Sequence, residues 1–291
     1  PMYETFGRVV AALRADRRDE NWLPWTQEQL GEATGLGVHT IGKIEQGKRA
    51  PDPATLTALA DALHLTAWER REFYALAAGE QQPAATPEAG AAGQERARLL
   101  DLLAHITLPA FLHDDFGDLV AANTAVAQFA GLSRQALQAD ANWQHARFHT
   151  MRVICDPALG YAELLGDAWP PIAMRQMQIF RRISLKQRAS PHLAARLKEL
   201  QGLPAFRQLW EGATTAEDWP DSGFVEYVHP YPPTGQSMRY LGLPTQHLTP
   251  WGDLVLGLFV PLEAATAAVF ADLVQENEAV MLADWPKKPT G

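Results

Sequence analysis

Residues 26–65 read TQEQLGEATGLGVHTIGKIEQGKRAPDPATLTALADALHL, and this stretch decides the fold of the N-terminal part of the 291-residue chain. Within it, residues 37–43 come close to the phosphate-binding pattern G-x-x-x-x-G-K-[S/T]. A phosphate-binding loop needs a buried strand before its first glycine and a serine or threonine after the lysine. Here the preceding residues have the pattern of a capped amphipathic helix, and Ile44 follows the lysine. The sequence therefore excludes a nucleotide-binding loop at this position.

The same stretch carries the signals of two helices joined by a tight turn. Thr26 and Gln29 form a capping box that begins one helix, and Gly35 ends it in the left-handed conformation that glycine adopts freely. A second helix is predicted from Val38 to about Gln46. Two helices at this spacing indicate a DNA-binding helix-turn-helix.

Similar signals predict an N-terminal bundle of about five short helices. An apolar stripe at residues 6–13 indicates the first helix. Asp52 and Pro53 supply the N-cap and first-turn proline of a later helix. Thr66 with Glu69 forms a second capping box, which opens the last helix of the bundle.

The composition bounds the class of protein. Hydrophobic residues make up 47% of the chain, which argues against general disorder. Cys155 is the one cysteine, so an internal disulfide is excluded and a reducing compartment is indicated. The longest apolar strip, residues 254–260, is too short to span a bilayer, and the first residues lack the pattern of a signal segment. We therefore expect a soluble, cytoplasmic protein.

A change of composition divides the chain. Residues 79–94 read GEQQPAATPEAGAAGQ, without an aromatic residue or a periodic apolar set, which is typical of a linker. The predicted domains are a helix-turn-helix domain at residues 2–79 and a second domain at residues 95–285, joined by a linker at residues 80–94.

Residues 5–78 resemble the lambda-repressor-like helix-turn-helix family, also called Cro/CI or XRE. The resemblance lies in the T-Q-x-x-L run, the turn glycine, T-I-x-x-I-E-x-G-K-R-x-P and the L-x-x-L-A-x-A-L run that follows. It implies an ion pair between Arg14 and Glu45. The chain departs from the family at Gly31, where alanine is usual, and in a long first connection, RRDENWLPW. The DNA-contacting residues that it implies are Val38, His39 and Lys43 in the major groove, Gln27 and Gln46 on phosphates, and Lys48 and Arg49 along the backbone.

The chemistry of these residues suits base recognition in part. A lysine can donate to guanine O6 and N7, and His39 can donate or accept. Residues 1–80 hold nine lysines or arginines against twelve acidic residues, so no broad basic face is expected. Affinity would rest on the cluster of Lys43, Lys48 and Arg49 and on a homodimer that places two recognition helices about 34 Å apart. The alternative is a protein-interaction module with the same fold.

The C-terminal part of the chain has a different pattern. Strands are predicted at residues 109–113 and 119–122, with Asn123 capping a short helix. After about 90 residues of helix come three further strand-like runs, FVEYVHP, SMRYLGLPTQHL and LVLGLFVP. This order predicts a PAS-like domain, a five-stranded antiparallel sheet with helices over one face. The fold class of the whole chain is therefore α+β, with an all-α N-terminal domain.

The second domain, together with the helix-turn-helix in front of it, resembles the MmyB-like transcription regulators. The resemblance is carried by NWQHARFHTMRVICDP, residues 167–169, SPHLAARLKELQGLPAFRQLW and the strand with His229 and Pro230. It implies a PAS-like ligand-binding domain behind a lambda-repressor-like domain, with fatty-acid-like molecules as ligands.

An apolar ligand site is predicted from flexible thioethers and aromatic rings, which suit an adaptable cavity and equally an ordinary core. A helix over residues 172–186 places Met174, Met177 and Phe180 on one stripe. An acid head group could be held by a charge-assisted hydrogen bond, and the alternative is that each candidate cation is a surface group. The lining candidates are Met174, Met177, Phe180, Trp143, Phe148, Met151, Trp169, Phe206 and Trp210, and the head-group candidates are Arg147, His149 and Arg152.

Two further patterns are less specific. His145 and His149, four apart on a predicted helix, could form half of a metal site with residues 113–115, but spacing fixes no third ligand and no metal is predicted. A run of cations in the later helices could contact DNA phosphates, but solvated helix faces commonly have this composition. The run comprises Arg175, Arg181, Arg182, Lys186, Arg188, Arg196 and Lys198.

The sequence therefore predicts a DNA-binding transcription regulator whose PAS-like domain senses a small apolar ligand, which the resemblance implies to be a fatty acid. No cofactor and no catalysis are predicted, because the chain has no Gly-x-Ser-x-Gly, Cys-His or glycine-rich nucleotide motif. The alternatives are a DNA-tethered enzyme acting on an acyl or aromatic substrate and a ligand-free interaction module. The expected partners are operator DNA, the ligand and a second copy of the chain, with no membrane.

Overall fold

The N-terminal part of the chain is a series of five helices, as the capping signals predict. They are α1 (Glu4–Asp16), α2 (Gln27–Thr34), α3 (Val38–Glu45), α4 (Pro53–Ala62) and α5 (Ala67–Ala77). The computed structural model describes residues 3–79, 91–130, 143–214, 225–231, 233–249, 252–274, 278–283 and 285.

The helix ends are set by the residues that the sequence signals. Thr26 Oγ1 accepts from the Gln29 backbone N–H at 3.2 Å, and the Gln29 side chain accepts from the Thr26 N–H at 2.7 Å, which completes the capping box. Gly35 follows α2 at φ 70°, a conformation that glycine adopts without strain. Thr66 with Glu69 forms the second box. These caps satisfy N–H groups that a helix leaves unpaired in its first turn.

The connection between α1 and α2 is an ordered loop. The backbone N–H of Asp19 donates to the Leu23 carbonyl, and the Asp19 carboxylate accepts from the N–H groups of Asn21 and Leu23 at 2.8 and 2.9 Å. Trp22 lies in this loop at φ 63°, with 68% of its surface exposed. The long connection that departs from the family pattern therefore has a defined structure of its own.

The described residues pack into two compact units that do not follow the order of the sequence. The first unit, named here the helical head, contains α1 to α5 together with residues 178–195 and 210–214. The second, named here the sheet unit, contains the other described residues from 91 onward. Of the predicted linker, residues 80–90 lie outside the described residues, and residues 91–94 are already helical.

The helical head has a continuous apolar core. The stripe predicted at residues 6–13 is buried in it, and Phe6 packs on Phe73 with ring centroids 4.9 Å apart. Leu185, from the segment at residues 178–195, is fully buried in the same core. That segment therefore belongs structurally to the helical head, although it follows the predicted linker in sequence.

The sheet unit is built on an antiparallel sheet of six strands. They are β1 (Ala110–Asp114), β2 (Leu119–Asn123), β3 (Val225–Tyr231), β4 (Gln236–Thr249), β5 (Gly252–Pro261) and β6 (Ala279–Met281). The order across the sheet is β3-β4-β5-β1-β2-β6. The first five strands are those that the sequence predicts, and β6 corrects the prediction of a five-stranded sheet. A strand of three residues is too short to show the alternation by which strands are predicted.

Eight further helices lie within the part of the chain that the structure describes. They are α6 (Ala91–His105), α7 (Thr124–Phe129), α8 (Thr150–Cys155), α9 (Tyr161–Leu165), α10 (Trp169–Ile183), α11 (Pro191–Leu200), α12 (Pro204–Gly212) and α13 (Ala264–Leu273). Asn123 Oδ1 accepts from the Val126 N–H and caps α7, as predicted. The helix predicted at residues 172–186 starts earlier, at Trp169, because the two prolines that follow fit a first turn, where no N–H is needed.

The two faces of the sheet differ in chemistry, because alternate residues of a strand point to opposite faces. On one face, Leu112, Val120 and Leu254 pack with Leu103 of α6. The other face carries rings, which contact further rings from α7 and α13. The aromatic face, as the term is used below, consists of Phe129, Tyr227, His229, Tyr240, Phe259 and Phe270.

Candidate DNA-reading surface and ligand-binding face

The exposed side of α3 carries the residues predicted to contact bases. Ile41 and Ile44 are fully buried in the core of the helical head, whereas Val38, His39 and Lys43 are exposed to solvent. Val38 keeps 44% of its surface exposed although it is apolar. A helix that presents apolar and basic groups together suits the base edges of a DNA major groove.

Hydrogen bonds to one carboxylate fix α3 against α1 and α2. Arg14 Nε and Nη2 donate to the two oxygens of Glu45 at 2.7 and 3.0 Å, which is the ion pair that the family resemblance implies. Gln27 Nε2 donates to the same carboxylate at 2.7 Å, and Arg14 Nη1 donates to the Trp25 carbonyl. Three helices are therefore tied at Glu45, which holds the recognition helix in a set orientation.

Of the remaining predicted DNA contacts, Gln46, Lys48 and Arg49 follow α3, and Gln27 begins α2. Arg49 Nη1 donates to Thr40 Oγ1 at 3.4 Å, which keeps this guanidinium beside α3. Gln27 is half-buried, and because an amide has two N–H groups, one hydrogen remains for a phosphate beside the bond to Glu45. The reading surface, as the term is used below, consists of the exposed residues Val38, His39, Lys43, Gln46, Lys48 and Arg49.

Several predicted ligand residues form a tight structural cluster instead of an open site. Arg152 is 1% exposed, and its Nε donates to Asp156 Oδ2 at 3.1 Å. Its Nη1 donates to the Arg147 carbonyl at 2.8 Å, and its guanidinium carbon lies 4.7 Å from the centre of the Trp143 ring. Arg147 Nε in turn donates to the Trp143 carbonyl at 3.0 Å. A head group bound at Arg152 would have to compete with Asp156.

His149 caps a helix instead of lying within one. Its Nδ1 accepts from the Met151 N–H at 3.0 Å, and its Nε2 donates to the Phe116 carbonyl at 2.9 Å, so both ring nitrogens are occupied. Glu199 accepts from three successive backbone N–H groups, one of them that of His145. The prediction that His145 and His149 share a helix is therefore wrong, because a distant side chain takes the N–H groups of this segment.

The other predicted lining residues are divided between the two compact units. Phe180 and Trp210 belong to the helical head, where their ring centroids are 6.2 Å apart. In the sheet unit, Trp169 Nε1 donates to the Ile154 carbonyl at 2.9 Å. The predicted lining residues therefore belong to both compact units. Those in the sheet unit are Trp143, Phe148, Met151, Trp169, Met174, Met177 and Phe206.

The aromatic face is the part of the sheet unit that sequence reasoning missed. Tyr227 and Tyr240 stack with centroids 4.8 Å apart and planes 3° apart. Phe129 meets Tyr240 and Phe259 edge-on at 5.4 and 5.9 Å. The available signal is the alternation of β3, which buries Tyr227 and His229 and exposes Val228 between them.

The described residues of α10 bring two polar groups to the aromatic face. Gln176 Nε2 donates to the Tyr227 hydroxyl at 2.8 Å. Arg175 is 3% exposed, and its positive charge acts on the same hydroxyl. Burial outweighs both effects and raises the pKa of Tyr227 to about 12, so the phenol stays protonated. An apolar face with a few convergent polar groups has the composition of a small-molecule site.

Comparison with known families identifies the two parts of the chain. Residues 5–73 match a helix-turn-helix domain, and residues 96–273, more than half of the chain, match the MmyB-like transcription regulator ligand binding domain. The chain belongs to the MmyB-like transcription regulators. An uncharacterized HTH-type transcriptional regulator of Bacillus subtilis, YazB, is 35% identical over 66 residues, which are 23% of this chain and 87% of that protein. This MmyB-like regulator is therefore a DNA-binding transcription regulator with a ligand-binding domain.

The cations in the later helices of this MmyB-like regulator do not form a solvated face. Arg181, Arg188 and Arg196 are buried, and each donates to a carboxylate at least 78 positions away in sequence. Arg175 is buried as well, whereas Lys198 is exposed. For Arg181, Arg188 and Arg196, solvation and phosphate contact are both wrong predictions, because the partner acids lie far outside any local pattern.

The described residues outside the reading surface and the aromatic face offer few other reactive or ligand-binding groups. Cys155 is buried, and burial raises the pKa of its thiol to about 12, so that it stays protonated and unreactive near neutral pH. Among the described residues, no His, Cys, Asp or Glu side chains gather in a group of three or more that could hold a metal ion. No helix within the described ranges has both the length and the hydropathy needed to cross a membrane.

His229 should make the stability of the sheet unit depend on pH. Its Nδ1–H donates to the Pro230 carbonyl, and its Nε2 accepts from the Tyr240 hydroxyl at 3.0 Å. Burial lowers the pKa of this imidazole below its ordinary value, so the native state keeps it neutral. The unfolded chain takes up a proton near pH 6.5. The stabilisation is therefore complete above about pH 6.5 and is lost as the pH falls below it.

We expect the free energy of unfolding of the wild type to fall more steeply between about pH 7 and pH 5 than that of His229→Gln. Chemical denaturation at several pH values measures both profiles, and glutamine serves because it cannot take up the proton. Parallel profiles would show that His229 titrates alike in the folded and unfolded states, contrary to this prediction.

Proposed function

We propose that this regulator reads operator DNA as a homodimer and that its effector is a fatty-acid-like molecule bound at the aromatic face. The DNA-reading part is carried by the exposure of Val38, His39 and Lys43 on a helix whose other side is buried and whose end is tied at Glu45. One recognition helix covers a few base pairs, so two copies about 34 Å apart double the contact. The protein acts by binding and not by catalysis.

Replacing Lys43 by alanine is expected to remove sequence preference while general DNA affinity remains. One good contact to a base discriminates by about 1–3 kcal/mol, which is about 5- to 150-fold in affinity. The wild type would first select duplexes from a random pool, and the affinities of both proteins for a selected and a scrambled duplex would then be compared.

Lys198→Ala is the matched control for this variant, because it removes the same charge from an exposed position in the sheet unit. It should leave the preference for the selected duplex unchanged. If Lys43→Ala weakened binding to the selected and scrambled duplexes by the same factor, Lys43 would be a phosphate contact and not a reader of bases.

The effector part of the proposal is supported by the chemistry of the aromatic face. Its rings are apolar and buried against one another, so an acyl chain would enter between them, and polar groups gather at the Tyr227 hydroxyl, where Gln176 and Arg175 approach. An acid head group there would gain a charge-assisted hydrogen bond from a buried guanidinium, which is stronger than a bond between neutral groups. This assigns to Arg175 the role that the sequence suggested for Arg147, His149 or Arg152.

Arg175→Met is expected to weaken palmitic acid binding by about 10-fold or more and to leave hexadecanol binding nearly unchanged. Methionine keeps an unbranched side chain at this position without the charge, and the alcohol has the chain of the acid without its carboxylate. Displacement of a fluorescent fatty acid from the delipidated protein measures both affinities. Equal losses for the acid and the alcohol would assign Arg175 to packing alone.

A further inference from the structure

Helix α10 contributes to both compact units. Its residues up to Met177 belong to the sheet unit, where Gln176 donates to the Tyr227 hydroxyl at 2.8 Å. Its residues from Gln178 onward belong to the helical head. The helix has 15 residues and is therefore about 22 Å long. Because its hydrogen bonds run without a break, a displacement at its first half is passed on to its second half.

The second part of this helix and the segment after it are held in the helical head by a buried carboxylate. Glu69 is fully buried, and its Oε1 accepts from Arg181 Nε at 3.0 Å and from Arg188 Nη2 at 3.5 Å. Its Oε2 accepts from the Thr66 N–H at 3.0 Å within the capping box. Arg188 Nη1 also donates to Asp16 at 3.0 Å. The latch, as the term is used below, consists of Asp16, Glu69, Arg181 and Arg188.

Aromatic rings complete the surroundings of the latch. The guanidinium carbons of Arg181 and Arg188 lie 4.8 and 4.5 Å from the centre of the Trp210 ring. Arg182 lies 5.0 Å over the ring of Trp68 on α5. Guanidinium groups shielded from water in this way depend on their carboxylates, because an unpaired buried charge is strongly unfavourable. Opening one pair of the latch is therefore costly unless both partners gain other contacts.

The latch includes a residue at the end of α1, and α1 in turn orients the recognition helix. Asp16 is the last residue of α1, and Arg14, in the same turn, donates to Glu45 of α3. A displacement of Arg188 therefore acts on the turn of α1 that fixes α3.

We propose that the latch is the link through which an effector at the aromatic face changes the orientation of the reading surface. The proposal rests on the proposed function, since it needs an effector near Tyr227 and DNA at α3. In addition, α10 is assigned the role of transmitting the effect of the effector to the helical head. Removing the charge of Glu69 would stop this transmission. The effector acts by favouring one position of α10 over the other.

Glu69→Gln separates the latch from the folding of α5. Glutamine is an accepted residue at this position of a capping box, so the helix keeps its cap while the charge that faces both arginines is removed. Glu4→Gln is the matched control, at an exposed carboxylate paired with Arg8 in the same unit. The affinity of delipidated full-length wild type and variants for a selected duplex would be measured with and without palmitic acid as the probe, and palmitic acid binding would be measured separately.

We expect palmitic acid to change the duplex affinity of the wild type and of Glu4→Gln by about 5- to 150-fold, and that of Glu69→Gln by less than about 2-fold. All three proteins should still bind palmitic acid. A change in Glu69→Gln equal to that in the wild type would overturn the latch and leave the proposed function standing. No change in the wild type, with palmitic acid bound, would instead overturn the proposed function and the latch with it.

Hydrogen exchange of the full-length protein tests the latch even if Glu69→Gln binds DNA poorly. Amide exchange reports local opening, so we expect faster exchange at residues 178–195 in Glu69→Gln. Arg188→Gln, which removes the contacts with Asp16 and with Glu69 and leaves the pair of Glu69 and Arg181, should have the same effect to a smaller degree. Exchange at wild-type rates in both variants would overturn the proposal, because the segment would then be held by other contacts.

Discussion

Replacing Gly7 by alanine is expected to lower the free energy of unfolding of the helical head by about 3 kcal/mol and to remove operator binding. A Cβ atom at this position would lie 2.4 Å from the carbonyl oxygen of Ile44 and 2.5 Å from that of Glu45. Both are backbone atoms of the turn that ends α3, so no side-chain rotation relieves the overlap. The two helices must move apart, which displaces the reading surface. Chemical denaturation measures the first effect, and affinity for a selected duplex measures the second.

Gly93→Ala is the matched control for this prediction. Gly93 lies in α6, and a Cβ there would meet nothing within 4 Å. Alanine should be neutral or stabilising by about 0.5–1 kcal/mol, because glycine weakens a helix interior. If Gly7→Ala unfolded at the same denaturant concentration as the wild type, the close approach of α1 to α3 would be contradicted.

Asp118→Asn is expected to have the second large effect, a loss of about 3 kcal/mol from the free energy of unfolding of the sheet unit. Arg196 Nε donates to the two oxygens of Asp118 at 3.0 and 2.9 Å, and Arg196 Nη2 donates to Oδ2 at 2.5 Å. Both side chains are less than a tenth exposed. An amide would keep the shape of the carboxylate and remove its charge. Asp114 and Glu199 lie near the same guanidinium and would compensate it in part.

Glu226→Gln makes the same chemical change at a solvent-exposed ion pair of the same sheet. Glu226 accepts from Arg239 Nε at 2.6 Å, and both side chains are about half exposed. Solvent screening makes such pairs weak, so chemical denaturation should detect little or no change. If Asp118→Asn and Glu226→Gln lowered the free energy of unfolding equally, burial would not be the reason that the pair of Asp118 and Arg196 stabilises the protein.

Much of the helical head could be predicted from the sequence, because its signals are local. A capping box needs two residues three positions apart, and both boxes, at Thr26 and Thr66, form as predicted. Gly35 likewise ends α2 in the left-handed conformation, as predicted. These features depend on fewer than ten neighbouring residues, and no distant partner overrides them.

Features that depend on distant partners could not be predicted. Glu69 fits its local pattern as a capping residue, yet its carboxylate also neutralises Arg181, 112 positions later. The predicted ligand residues are divided between the two compact units for a related reason. Phe180 and Met177 lie on the same helix, but they belong to different compact units. Helical spacing says which residues share a face, and it does not say which part of the protein that face contacts.

Effector binding and operator binding are expected to be linked in one dimer. Native mass spectrometry can test this linkage. The dimer would be half occupied by palmitic acid and mixed with less than one equivalent of a selected duplex. Linkage requires that the palmitic acid affinities of free and DNA-bound dimers differ by the same factor as the acid changes duplex affinity, so the two populations differ in occupancy. We expect complexes of two chains with one duplex whose occupancy by palmitic acid differs from that of the free dimers. Equal occupancy in the two populations, or complexes with a single chain, would contradict it.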